Sequence, residues 1–171
     1  DRVLGDFLSY ARLPPARSDR CDLGQVLEET LELARQRPEA RGVAWEVGIG
    51  AGFIVEADPG QLKQAFLNLV INALQVLEGK GTITVKADWD RRREGRWVRV
   101  SVADTGPGVS AETRAHLFEP FFTTKTEGTG LGLALVARVA AAHGGEARLS
   151  EAPSGACFEI WLPERRFGEG T

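Results

Sequence analysis

Residues 61–74 read Gln-Leu-Lys-Gln-Ala-Phe-Leu-Asn-Leu-Val-Ile-Asn-Ala-Leu. Leu62, Ala65, Phe66, Leu69, Ala73, Val76 and Leu77 recur three and four apart, which predicts a helix with a wide apolar stripe running from the Ala57-Asp58-Pro59 start to Gly79. Asn68 and Asn72 are the only asparagines in the chain. Four residues apart on a helix, they project from one face, where their carbonyl oxygens can serve a hard cation and their amide protons a phosphate. A polar pair satisfied where the helix meets a loop is the plainer alternative.

Outward from this helix the period changes. Upstream, Asp22 is placed to cap a helix bearing Val26, Leu27, Thr30, Leu31 and Ala34, closed by Pro38 and Gly42. Val43, Trp45 and Val47, then Phe53 to Val55, read as two short strands. Downstream, Ile83, Val85, Ala87 and Trp89 alternate, as do Val98, Val100 and Val102. They predict a hairpin whose tip, Asp90 to Gly95 with three arginines, reads as a solvated end. A long Gly- and Thr-rich stretch from Asp104 to Gly132 follows, of the kind that forms lids. A helix through Leu133, Leu135, Val136, Val139 and Ala140 then stops at His143-Gly144-Gly145, and Glu146–Ser150 and Cys157–Leu162 close the pattern as strands. At the other end, Val3, Leu4, Phe7, Leu8 and Ala11 have helical spacing and stop at Pro14 and Pro15. This first helix reads equally as a cap on the domain or as the end of a bundle helix.

The 171 residues suffice for one domain with an appendage. With 43% hydrophobic residues, 21 Lys and Arg against 24 Asp and Glu, and a net charge of -3, the chain is neither a general nucleic-acid binder nor a disordered acidic tail. Cys21 and Cys157 stand far apart without metal-ligand spacing, so the expected compartment is the reducing cytoplasm. No apolar run is long enough to cross a bilayer, and no membrane contact is expected of this segment. The absence of methionine, even at position 1, suggests a piece of a longer protein.

Three further stretches carry chemistry. Asp104 continues the parity of Val98, Val100 and Val102, so its carboxylate emerges on the core side at a strand end. Gly106 and Gly108 after it allow close backbone approach, and such a carboxylate accepts a hydrogen bond from an exocyclic amine such as adenine's. Gly128-Thr129-Gly130-Leu131-Gly132 opens a helix and offers backbone N–H groups to phosphate, with Lys125 and Thr129 nearest to add a cation and a hydroxyl. It is neither a Walker A loop nor a dinucleotide fingerprint. Leu117-Phe118-Glu119-Pro120-Phe121-Phe122 places three aromatics in a loop, which reads as a small satellite core or as a docking lid.

In this order the four stretches resemble the catalytic and ATP-binding domain of bacterial two-component sensor histidine kinases, a branch of the GHKL ATPases, over about Cys21 to Pro163. QLKQAFLNLVINAL corresponds to the family's N box, DTGPG to its G1 box, LFEPFFTTK to its F box and GTGLGLAL to its G2 box. The form of the last two looks most like the nitrogen-regulation sensor kinases. The resemblance implies a two-layer α/β (α+β) sandwich, with a mixed sheet of about five strands packed against three helices. It divides the chain into residues 1–20, the end of a dimerisation helix and a linker; 21–163, the ATP-binding domain; and 164–171, a polar tail. The cofactors it implies are ATP and Mg2+. Asn68, Asn72 and Lys125 are then the catalytic residues, Asn72 being the metal ligand. Asp104 binds the adenine amine, and Gly106, Gly108, Lys125, Thr129, Gly130, Leu131 and Gly132 complete the ATP-binding set with the two asparagines.

The partners implied are the kinase's own dimerisation and phosphoacceptor domain and a response regulator receiver domain, with the parent a homodimer and no nucleic acid involved. His116 and His143 lack the acidic neighbour of the family's acceptor histidine and read as structural, so this chain alone is not expected to autophosphorylate. Two positions depart from the pattern. Gln75 stands where many relatives have a basic residue, which shifts phosphate contact towards Lys125. Gly155-Ala156-Cys157 lacks the usual hydroxyl, which puts a water-bridged adenine contact in doubt. Gyrase B, MutL and the Hsp90 chaperone share the fold but have a glutamate at the place of Asn68 to activate water; its absence here favours a kinase over an ATPase. The aromatic loop and first helix argue against an anti-sigma serine kinase, and the intact Asn72, Asp104 and Gly130 against a degenerate binding module.

Overall fold

The computed structural model describes residues 2–92, 94–125 and 128–165, so Arg93 of the hairpin tip and residues 166–171 of the tail lie outside the described residues. In chain order the elements are α1 (Arg2–Ala11), β1 (Asp19–Asp22), α2 (Leu23–Arg35), β2 (Ala44–Gly48), β3 (Ile54–Ala57), α3 (Pro59–Leu77), β4 (Thr82–Arg92), β5 (Gly95–Asp104), α4 (Ala111–Arg114), α5 (Gly132–Ala142), β6 (Glu146–Ser150) and β7 (Cys157–Pro163).

The helix read from residues 61–74 is α3, with Pro59 in its first turn. The Gly60 and Gln61 N–H groups donate to Asp58 Oδ1 at 3.1 and 3.2 Å, satisfying donors the helix itself leaves open. Its stripe of Leu62, Ala65, Phe66, Leu69, Ala73 and Leu77 is buried. α3 packs between α2 and α5. α2 is capped as expected by Asp22, whose Oδ1 accepts from the Gln25 N–H at 3.3 Å.

These helices cover one face of a mixed five-stranded sheet ordered β2-β4-β5-β7-β6, in which β2 runs parallel to β4 and the other neighbours are antiparallel. Alternation fills the buried face with Ile83, Val85, Val98, Val100, Phe158, Ile160 and Leu162. This is the expected two-layer α/β sandwich. His143 joins α5 to the start of α3: the Asp58 N–H donates to its Nε2 at 3.0 Å, which leaves Nδ1 to donate to the Val139 carbonyl at 2.8 Å. The side chain is almost wholly buried and structural, as its sequence position implied.

Three local features go beyond the sequence reading. β3 does not join the main sheet; it pairs antiparallel with β1, whose Cys21 lies opposite Val55, and β1 straddles the boundary drawn at residue 21. The hairpin ladder continues to the pair Arg92 and Gly95, and the tip is solvated as expected, with Arg91, Glu94 and Gly95 exposed. The Arg92 guanidinium lies over the Trp161 and Trp97 rings, 4.2 and 5.1 Å from their centroids, on the outer face of the sheet. The stretch from Asp104 to Gly132 contains the one-turn α4, capped by Ser110, whose Oγ accepts from the Thr113 N–H.

α1 lies on α5, where Arg138 donates to the Tyr10 carbonyl and sits 5.2 Å from the centre of its ring. No residue of α1 is buried, and Val3, Leu4 and Phe7 are exposed.

Candidate functional site

A cleft runs between α3 and the segment from Gly106 to Gly132. It holds two adjoining chambers of about 150 and 400 Å3, and Asn72, Leu117, Thr124, Lys125 and Leu133 line both.

Asp104 stands in the smaller chamber, at the end of β5 where the alternation of valines delivers it inward. It is only 3% exposed. Its Oδ1 accepts the N–H groups of Gly106 at 2.9 Å and Ala156 at 3.3 Å, while Oδ2 has no protein donor among the described residues. Burial pushes the carboxyl above the usual carboxylate range, opposed by the two backbone N–H groups and by the charge of Lys125. At the departure noted above, it is thus the backbone of Ala156, not a hydroxyl, that steadies Asp104. Gly155 makes this possible. Its φ is +69°, and a Cβ there would lie 2.0 Å from the Asp104 carbonyl oxygen.

The larger chamber is framed by amides, hydroxyls and cations. The Lys125 ammonium donates to Asn72 Oδ1 and Gln75 Oε1, both at 2.6 Å. Burial lowers its pKa, the nearby Arg2 adds to that and Asp104 opposes it. Asn68 Nδ2 donates to the Gly132 carbonyl at 3.3 Å. The two readings of the asparagine pair therefore divide: Asn68 is satisfied at the helix–loop seam, whereas the Asn72 carbonyl faces a cation. The glycine loop is drawn in by the Phe121 N–H, which donates to the Gly130 carbonyl at 2.9 Å. A Cβ on Gly130 (φ +73°) would lie 2.4 Å from the Phe121 backbone. Thr129 Oγ1 donates to Asp6 Oδ2 of α1 at 2.7 Å.

The cleft brings together Asn68, Asn72, Asp104, Gly108, Lys125, Thr129, Gly130 and Gly132. Gly106 acts through its bond to Asp104, and Leu131 is buried beneath the loop rather than lining the cleft. The aromatic loop divides as well. Phe118 packs edge-on against Phe158, whereas Phe121 is 62% exposed at φ +67°. His116, exposed in this loop, has Nδ1 2.9 Å from Glu119 Oε1. Sequence reading missed Arg2, Asp6 and Arg37, which line the larger chamber from α1 and from the turn that follows α2. No local signal marks them. Gln75 is different, because its place three residues after Asn72 on the same helix face was visible. Among the described residues no group of three or more His, Cys, Asp and Glu could hold a metal ion; the side-chain oxygens lining the larger chamber are those of amides, threonine hydroxyls and the single carboxylate of Asp6.

Residues 57–166 match the family described as histidine kinase-, DNA gyrase B- and HSP90-like ATPase. The chain is 37% identical over 165 residues to the sensor histidine kinase ZraS of Klebsiella oxytoca, covering 95% of this chain and 35% of that protein. It is 33% identical over 162 residues to the nitrogen regulation protein NtrY of Azorhizobium caulinodans, covering 90% and 20%. Its fold matches the catalytic domain of the histidine kinase ThkA with a TM-score of 0.78 at 30% identity, covering 87% of this chain and 97% of that one. The chain thus spans about a third or less of the length of these full-length relatives. It belongs to the histidine kinase-, DNA gyrase B- and HSP90-like ATPase family, as a catalytic ATP-binding domain of the sensor histidine kinase type.

Proposed function

We propose that the cleft binds Mg·ATP and presents its γ-phosphoryl group to a histidine on a dimerisation domain that precedes this segment in the parent kinase. The observation that carries this reading is Asp104: a nearly buried carboxylate with one oxygen held by the backbone and the other left to accept from the adenine amine. The larger chamber then takes the phosphates against Lys125 and the Gly128–Gly132 loop, with Thr129 adding a hydroxyl and Asn68 holding the loop to α3. Mg2+ is an oxygen-seeking ion, and Asn72, whose Oδ1 already accepts from a cation, would hold it. When bound, the ion neutralises charge developing on the transferred group.

The rest is positioning. The histidine nitrogen forms its bond to phosphorus as the bond to the β-phosphate oxygen breaks, and ADP leaves with that electron pair. A response regulator aspartate then takes the phosphoryl group, which places the reaction in the cytoplasm. Water is a poor rival nucleophile, because Asn68 donates to Gly132 and offers no general base. α1 fits the end of the dimerisation helix of a homodimeric parent, with Val3, Leu4 and Phe7 exposed.

Calorimetric titration with a non-hydrolysable ATP analogue tests this reading. Binding that prefers adenine over guanine and strengthens with Mg2+ is expected, and Asn72→Ala is expected to abolish the Mg2+ effect. A wild-type chain that binds no adenine nucleotide with or without Mg2+ would overturn it.

A further inference from the structure

Asn72 and Gln75 lie three apart on α3, so their side chains leave the same face one turn apart. Both end on the Lys125 ammonium, at 2.6 Å each. An ammonium has three donors and no acceptor, so each amide must turn its carbonyl oxygen, not its NH2 group, toward that point. The outcome is two neutral oxygens converging on one positive charge at the phosphate end of the cleft, beside the glycine loop.

A phosphate offers that ammonium far stronger acceptors than two neutral amides. Once nucleotide is bound, Lys125 gains by moving to the phosphates, and the two carbonyls are left facing a common point without a donor. Two partly buried carbonyl oxygens converging on one point in this way suit a replacement cation. Building on the Mg·ATP reading above, we propose that Gln75 Oε1 is a second protein ligand of the divalent cation, beside Asn72 Oδ1, at the point where both oxygens meet the Lys125 ammonium. The glutamine makes this possible where a lysine or arginine at position 75 would repel the ion. The departure from the family pattern is thereby a change of role: position 75 here serves the metal, and the phosphate contact passes to Lys125.

The test reads metal binding directly. Mn2+ is titrated into chain saturated with the non-hydrolysable ATP analogue, and free Mn2+ is followed by its electron paramagnetic resonance signal. Nucleotide affinity without metal is measured in parallel. Gln75→Leu is expected to weaken Mn2+ binding roughly tenfold, the lower end of what loss of a supporting group at a metal site costs, while metal-free nucleotide affinity stays within about twofold. Gln75→Glu is expected to tighten Mn2+ binding, a gain that misfolding cannot produce. Unchanged Mn2+ affinity in both variants would overturn the assignment, as would equal loss of nucleotide affinity with and without metal in Gln75→Leu, since that pattern belongs to a residue that only orders Lys125. A wild-type chain that binds nucleotide with no metal effect would overturn the Mg·ATP reading and this ligand with it, whereas wild-type metal dependence untouched at Gln75 removes only the second ligand.

Discussion

At one end of the cleft Asp104 is fixed by backbone: two N–H groups hold one of its oxygens, β5 sets its direction, and Gly155 passes within van der Waals reach of its carbonyl. At the other end the contacts run from side chain to side chain. Lys125 rests on two amides, and Thr129 rests on an aspartate of α1 more than a hundred residues away in sequence. Backbone held by a sheet cannot rearrange without disturbing the core, whereas rotamers exchange partners cheaply. On the proposed Mg·ATP reading, the adenine end is therefore built as a fixed template and the phosphate end as a set of exchangeable contacts. That division suits a reaction in which the base stays put while phosphates and metal enter and leave.

The largest effect is expected from breaking the template. In Gly155→Ala the new Cβ meets the Asp104 carbonyl oxygen at a distance no contact tolerates, on a backbone with φ +69° that alanine resists. Thermal unfolding should show a loss of about 3 kcal/mol or more, accompanied by loss of nucleotide binding. A variant that melts and binds like the wild type would show that the adenine end is as adaptable as the other.

Asp104→Asn sharpens the same point by separating stability from binding. Burial raises the carboxyl pKa, so the folded chain retains a proton that the unfolded chain has already released. Stability therefore falls as pH rises through that interval, and the cost of the buried charge is fully present above the folded-state pKa. An asparagine keeps the Oδ1 acceptor for Gly106 and Ala156 and removes the charge. The variant is expected to be at least as stable as the wild type at neutral pH, with the difference vanishing in acid. Its NH2 group would meet the adenine amine donor to donor, and analogue affinity should fall by about 1.5–3 kcal/mol. A variant that is less stable at neutral pH, or that binds with unchanged affinity, contradicts the role given to Asp104.

The same division explains what could be read from sequence. The rigid end was legible because its determinants are local: a cap at Asp58, a stripe at Leu62 to Leu77, and an alternation that turns Asp104 inward. β1 was not, since Asp-Arg-Cys-Asp has no strand-forming pattern and pairs only because β3 lies beside it. The seat of Arg92 on Trp161 was not legible either, because its charge hides the aliphatic stem and planar head that lie on that ring. At the phosphate end, Lys125 was visible as the nearest cation, but its seat on Asn72 and Gln75 is a tertiary fact. Asp6 and Arg37 come from elements whose approach to the cleft no local pattern encodes.

The smallest effect is expected at Asp6, and it tests whether the exchangeable end extends into α1. The Asp6 carboxylate holds the Thr129 hydroxyl and brings a negative charge to a chamber otherwise marked by Arg2, Arg37 and Lys125. A bound triphosphate competes for the same hydroxyl and is repelled by the same charge. Asp6→Ala should therefore tighten the ATP analogue by about 0.5–1 kcal/mol, leave adenosine unaffected, and lose its advantage as salt is raised, because a partly exposed charge is screened. Titration of the two ligands at low and high ionic strength distinguishes the cases. Equal affinity throughout would make the α1 contact inert, and weaker triphosphate binding would mean that Asp6 orders Thr129 for the phosphates instead of competing with them. Tighter binding confined to the triphosphate would make α1 a third wall of the site, so that the helix leading into the domain adjusts how firmly the phosphates are held.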